Sequence, residues 1–285
     1  MTSSKPTLSI LERNITPESI TLADGTKAHW LGDRSAEKLL LFFHGGGYLL
    51  YAVDGHFHLL DQTIRSVEEK GGKLAVLFLA YDVSVQAPYP RQLQQAAALL
   101  HHVLTVLGKK ADDILLAGDS AGGNLALALM SHILHPHPSV KPIELSGQLA
   151  GVSLMSPWVT FDTKSDSMRT NRGSDALAIP ALNKWAGIFK GDAVSDPYLE
   201  PLSAPEHWWQ SFPVQKVLVL AGADEIFVDD IQHFAKQLGN AFPDVVMKTV
   251  AGEAHDQLVL EFMLKEAPSK QREEFQQWIG DIVCV

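Results

Sequence analysis

Three stretches of the chain carry residue types suited to attack on a carbonyl carbon. In Leu115-Leu116-Ala117-Gly118-Asp119-Ser120-Ala121-Gly122-Gly123-Asn124, an apolar run breaks into Gly-Asp-Ser-Ala-Gly, and an Ala/Leu-rich run follows. A serine between two glycines, where a strand gives way to a helix, sits on a sharp and strained turn. Its neighbours have no side chains to clash there. This marks Ser120 as a nucleophile. A hydroxyl is a weak nucleophile near neutral pH, so it needs a base in hydrogen-bond reach, an acid to orient that base, and donors aimed at the oxyanion.

For a Gly-x-Ser-x-Gly turn the partners follow in the order acid, then histidine. Ala221-Gly222-Ala223-Asp224 puts a carboxylate just past a strand end, and Ala251-Gly252-Glu253-Ala254-His255-Asp256 puts a histidine in a late loop. Asp224 is the expected orienting acid, with Glu225, Asp229 and Asp230 as competitors. The last two open a predicted helix, where carboxylates favour the dipole. His255 alone among twelve histidines lies late, after the acid and in a glycine-bearing loop. Upstream, His44-Gly45-Gly46-Gly47 offers backbone free of side chains, which with the N–H of Ala121 suits an oxyanion hole. His44 and Asp119 read as structural hydrogen-bonders. His56-Phe57-His58 and His135-Pro136-His137 lack a third ligand and read as solvated or capping histidines rather than metal ligands.

These residues need a scaffold that brings loop ends together. Ser19 to Ala23 and Lys27 to Trp30 read as a hairpin with an Asp24-Gly25 turn. Lys38 to Phe43, Leu74 to Ala80, Ile114 to Ala117, Gly147 to Ser156, Lys216 to Gly222 and Val245 to Val250 read as strands. Helical patterns run over Phe57 to Lys70, Arg91 to Leu107, Gly122 to Leu134, Val228 to Leu238 and Glu273 to Val283. Strands alternating with helices imply a mostly parallel central sheet with helices on both faces, in which chemistry sits at the carboxyl ends of strands. Each of the three stretches follows a strand. Residues from about 158 to 213 break the pattern and read as a cap insertion in a single α/β domain spanning 1–285. Trp158, Trp185, Trp208 and Trp209 fall in or beside it, as a lid over an apolar pocket or as the insertion's own core.

The 285 residues suffice for a full core, and 46% are apolar. A net charge of −10 argues against non-specific nucleic-acid or anionic-membrane binding. The single cysteine, Cys284, allows neither an intrachain disulfide nor a cysteine-based metal site. The first residues lack the apolar stretch of about 7–15 residues that a secretory leader needs, and no run approaches the roughly 18 residues of a membrane span. A cytoplasmic protein is expected.

The Gly118–Gly123 turn, His44 to Gly47, Asp224-Glu225-Ile226-Phe227-Val228-Asp229-Asp230 and His255 together resemble the hormone-sensitive-lipase-like carboxylesterase branch of the α/β-hydrolases. Ala87-Pro88-Tyr89-Pro90, Ser156-Pro157-Trp158 and Ser195-Asp196-Pro197-Tyr198 sit where that family has similar segments. The resemblance implies the α/β-hydrolase fold and a serine esterase. Ser120 would be the nucleophile, His255 the base, Asp224 the orienter, and Ala121, Gly46 and either Gly45 or Gly47 the oxyanion donors. No metal or organic cofactor is implied. Only 43 residues precede His44, so the N-terminal helices that many relatives fold over the site are expected to be largely missing. The expected substrate is a small or medium acyl ester, or a thioester, with the protein a monomer or homodimer. A pathway-specific hydrolase, thioesterase or acyltransferase on the same triad is the alternative, and a non-catalytic ligand-binding protein is a further one.

Overall fold

A computed structural model describes residues 18–284. The expectations drawn from the first residues, on a secretory leader and on missing N-terminal helices, fall mainly on residues 1–17 and lie outside the described part. In chain order the elements are β1 (Glu18–Thr21), β2 (Lys27–Gly32), β3 (Lys38–Phe43), α1 (Asp54–Glu69), β4 (Leu74–Ala80), α2 (Arg91–Thr105), β5 (Ile114–Asp119), α3 (Ala121–Leu134) and β6 (Gly151–Met155). Then come α4 (Asp166–Thr170), α5 (Ile179–Lys190), β7 (Val217–Gly222), α6 (Val228–Ala241), β8 (Val245–Val250), α7 (Gln257–Leu264) and α8 (Lys270–Val283).

The eight strands form one sheet in the order β1-β2-β4-β3-β5-β6-β7-β8. The first two pairings are antiparallel and the rest parallel. The continuous apolar runs follow from burial on both faces. In β3, Leu39, Leu41 and Phe43 pack into one core layer with residues of α2, α3 and α6. Leu40 and Phe42 pack into the other, with residues of α1, α7 and α8. All five are fully buried, each contributing roughly 1.5–3 kcal/mol. The site-bearing strands are thus clamped between two helical layers. Among the described residues no helix is long and apolar enough to cross a membrane.

The differences from the sequence reading have local causes. The β6 ladder starts at Gly151, because Leu149 makes only an isolated bridge to Val214. The start of α8 moves back to Lys270, since the Ser269 hydroxyl accepts the Arg272 N–H and caps the helix. The helix α7 has no sequence-level start signal, because Asp256, ahead of it, has a left-handed backbone and no side-chain cap. Between β6 and β7 the chain forms α4, α5 and two short 3₁₀ turns.

Candidate active site

Ser120 occupies the turn between β5 and α3 with φ 50° and ψ −116°. A non-glycine residue held there is strained by about 1–3 kcal/mol. Three backbone bonds hold it in place. Its N–H donates to Met155 O at 2.8 Å, and its carbonyl accepts from Asn124 at 3.0 Å and from Trp158 at 3.0 Å. A further bond, Ser156 N–H to Leu220 O at 2.8 Å, fixes the neighbouring strand end. A Cβ on Gly122 would stand 1.9 Å from Phe43 O, so only glycine lets α3 leave the turn this close to β3. The buried Asn124 ties the helix start to its surroundings. It accepts from the Tyr48 hydroxyl at 2.7 Å and donates to Trp158 O at 2.7 Å and Leu199 O at 2.9 Å.

Oγ of Ser120 lies 2.9 Å from Nε2 of His255. The other ring nitrogen, Nδ1, faces Oε2 of Glu225 at 3.3 Å. Here the structure corrects the expectation that Asp224 opposes the histidine. After β7 the Asp224 N–H donates to Glu253 O at 3.0 Å and its carbonyl accepts from Ser174 at 2.9 Å, and its side chain is half-buried. The following residue, Glu225, is fully buried, and its extra methylene gives it the reach to Nδ1. Asn171 holds this turn through Ala223 O and Glu225 O, and Asp175 accepts the Ile226 N–H at 2.6 Å. The remaining competitors anchor the same segment. Asp229 accepts the Ser167 N–H at 2.7 Å, and Asp230 accepts from the Ser165 hydroxyl at 3.0 Å.

The glycine loop is held from behind. Asp119 Oδ2 accepts the Gly45 N–H at 2.9 Å and pairs with His56 Nε2 at 3.1 Å. The Gly45 N–H is therefore committed, whereas those of Gly46, Gly47 and Ala121 find no acceptor among the described residues. Of the two glycines the sequence left open, Gly47 is the one whose N–H has no acceptor among the described residues. The charged His56 ring also donates from Nδ1 to Val53 O at 3.1 Å, so it is tied to the start of α1, though from a buried position rather than a solvated one. His44 bonds Gly45 O at 2.7 Å and stacks on Tyr81 and Phe78, and burial pulls its imidazole down to about 4. Trp158 and Trp209 are buried core residues and Trp208 packs on His135. Trp185 alone of the four lies on the glycine loop: a Cβ on Gly47 would stand 2.3 Å from its ring.

The electrostatics are those of a buried acid–base cluster. Burial pulls the His255 imidazole down, but the carboxylates of Asp256 and Glu225 outweigh it and hold it well above the ordinary value. Burial pushes the Glu225 carboxyl up, opposed by His255. Asp119 opposes its own burial through His56 and His44 and ends low, and His56 ends high for the reciprocal reason. Asp256, which the sequence reading did not weigh, contacts Nε2 of His255 at 3.1 Å. Burial, together with nearby Asp119, pushes its carboxyl up to about 7 despite His255.

A sequence model described as the alpha/beta hydrolase fold matches residues 40–259. The chain is similar to an "Esterase" of Acinetobacter venetianus, 30% identical over 76% of this chain and 67% of that protein. It is 26% identical to "Steryl acetyl hydrolase 1" of Saccharomyces cerevisiae, over 73% of this chain and 50% of that one. The match thus spans only half to two thirds of these relatives' lengths. Among solved structures, an esterase from the bacterial hormone-sensitive lipase family superposes with a TM-score of 0.79 at 22% identity, covering 96% of this chain and 85% of that one. At that identity the likeness speaks for the fold.

Proposed function

The chain belongs to the α/β-hydrolase fold family, and we propose that within it the protein is a serine carboxylesterase working through an acyl-enzyme. One observation carries the reading: Ser120 Oγ at 2.9 Å from a histidine whose opposite nitrogen faces a buried carboxylate. The Ser120 hydroxyl gives its proton to Nε2 of His255 as Oγ attacks the ester carbonyl. Glu225 orients the ring and stabilises the imidazolium. The N–H groups of Gly46, Gly47 and Ala121 receive the oxyanion, each donor being worth about 2.7–4 kcal/mol in such sites. His255 then protonates the leaving alcohol, and water releases the acid.

The substrate we assign is an ester with a short acyl group. The Trp185 ring against Gly47 supports this by narrowing the space beside the oxyanion loop, and the relative named for acetyl hydrolysis points the same way. We read residues 158–213 as a cap that carries Trp185 to the site and braces the turn bearing Glu225. A cytoplasmic protein, monomeric or homodimeric and without a nucleic-acid partner, is consistent with the charge of −10.

A fluorophosphonate probe with peptide mass mapping tests the reading. Labelling of Ser120, with Ser120→Ala losing both label and esterase activity on p-nitrophenyl acetate, supports it. An unlabelled Ser120, or full activity in Ser120→Ala, overturns it.

A further inference from the structure

Nε2 of His255 faces two oxygens: Ser120 Oγ at 2.9 Å and Asp256 Oδ2 at 3.1 Å. The triad chemistry uses only the first. When the imidazole is ready to act as a base, Nε2 presents a lone pair. A serine hydroxyl can donate to that lone pair and an ionised carboxylate cannot. Above about pH 7, where Asp256 is ionised, the carboxylate therefore belongs to another moment of the reaction, or to a partner that donates to both groups at once.

Three further observations point to such a partner. The first is that Asp256 is only 8% exposed and its Oδ1 is buried without a hydrogen-bond donor among the described residues. A buried carboxylate oxygen left so costs free energy unless something donates to it. The second is that Asp256 stands at the N-cap position of α7, where an aspartate side chain ordinarily accepts from the first turn of the helix. Its side chain makes no such bond. The third is its backbone, left-handed at φ 51° and ψ 33°, a conformation that turns the residue back toward His255 and Ser156, whose Oγ accepts the Asp256 N–H at 3.3 Å.

We propose that Asp256 holds the water that hydrolyses the acyl-enzyme, and so sets the choice between hydrolysis and transfer of the acyl group to an alcohol. The inference rests on the esterase reading above. With the acyl group on Ser120 Oγ, a water beside Nε2 gives one proton to Nε2 as its oxygen bonds to the acyl carbon. Its second hydrogen stays on that oxygen and is donated to the Asp256 carboxylate. The oxyanion then re-forms the carbonyl, the bond from carbon to Oγ breaks, Oγ takes the proton back from Nε2, and the carboxylic acid leaves. Water has two hydrogens for two acceptors. An alcohol has one, which it must give to His255, so its carbon would face the buried carboxylate and leave it unsatisfied. Asp256 thus selects water by hydrogen count rather than by size.

The test is product partitioning. Wild type, Asp256→Asn and Asp256→Gly are given p-nitrophenyl acetate with added methanol or butanol, and the ratio of acetate ester to acetic acid is measured. Asparagine and glycine both tolerate the left-handed backbone of residue 256, so neither substitution strains the turn. The expected result is a rise of about tenfold in the ester-to-acid ratio in both, the order set by a buried charged acceptor left unpaired. A merely structural role would slow hydrolysis and alcoholysis together, and an unchanged ratio in turning-over variants overturns the inference. Failure of the esterase reading looks different: no p-nitrophenol release and no probe on Ser120 in the wild type.

Discussion

The carboxylate of Glu225 lies 3.3 Å from Nδ1 of His255, while Asp224, one residue earlier, is half-buried and bonds through its backbone N–H to Glu253 O in the loop that follows β8. Two adjacent acids of the same charge are therefore separable by mutation. Glu225→Gln should lower kcat/KM about 10⁴-fold, the scale for a triad whose orienting acid becomes an amide. Asp224→Asn should stay near wild type. Steady-state kinetics on p-nitrophenyl acetate measures both, and a reversed order would return the role to Asp224.

Only the neutral imidazole of His255 can take the proton of Ser120, so activity falls as pH drops through its pKa. Burial draws that pKa down, but Asp256 and Glu225 hold it well above 6.5. The acid limb of kcat/KM should therefore lie above the position of an ordinary histidine. Asp256→Asn removes the leading carboxylate contribution and should move the limb to lower pH. A pH profile of kcat/KM for both proteins checks the direction.

The buried pair of His56 and Asp119 predicts a stability effect with a defined window. Asp119, lowered from 3.8, contributes above that value and loses its contribution as pH falls through its folded pKa. His56, raised from 6.5, contributes fully below that value and loses its contribution as pH rises through its folded pKa. Between 3.8 and 6.5 both contributions are present. In that window His56→Gln should cost about 3–5 kcal/mol, because Asp119 stays buried without its cation. The deficit should shrink in alkaline buffer. Denaturant melts at pH 5.5 and pH 9 measure it, and kcat should fall too, since the same pair holds the Gly45 N–H.

Trp185 resting on Gly47 yields a prediction about substrate range. Trp185→Ala should raise kcat/KM for hexanoyl relative to acetyl esters by about tenfold or more, the usual worth of a few methylenes in an apolar pocket. A series of p-nitrophenyl esters of graded length reads this directly. No change in the ratio would place the acyl group elsewhere.

Ser120 and His255 were legible in the sequence because their signals are local. Glycines around a serine, between an apolar run and an Ala/Leu-rich run, specify a strand, a turn and a helix whatever else the chain does. The burial of β3 on both faces was equally legible from a run of five apolar residues. The choice between Asp224 and Glu225 was not. Which of two neighbours turns inward is set by Asn171, Ser174 and Asp175, some fifty residues upstream. Asp256 was hidden for a similar reason. Its importance lies in a left-handed backbone and a distance to Nε2, and neither leaves a pattern in residue types. His56 read as a solvated or capping histidine, not as half of a buried ion pair, because its partner, Asp119, is 63 positions away.

The strand order has a consequence for how this protein comes into being. Gly47, Ser120, Glu225 and His255 follow four different strands, β3, β5, β7 and β8, and the parallel pairings between these strands and β6 join segments far apart in the chain. Every such pairing closes a long loop before its contacts compensate for it, which makes parallel sheets slow to assemble. No fragment of the chain short of β8 contains the whole constellation. On dilution from denaturant, hydrolysis of a fluorogenic ester should return only in the slowest refolding phase, after the bulk of the helical signal. A nascent chain still lacking its last forty residues should be catalytically silent, so the esterase exists only as a property of the finished sheet.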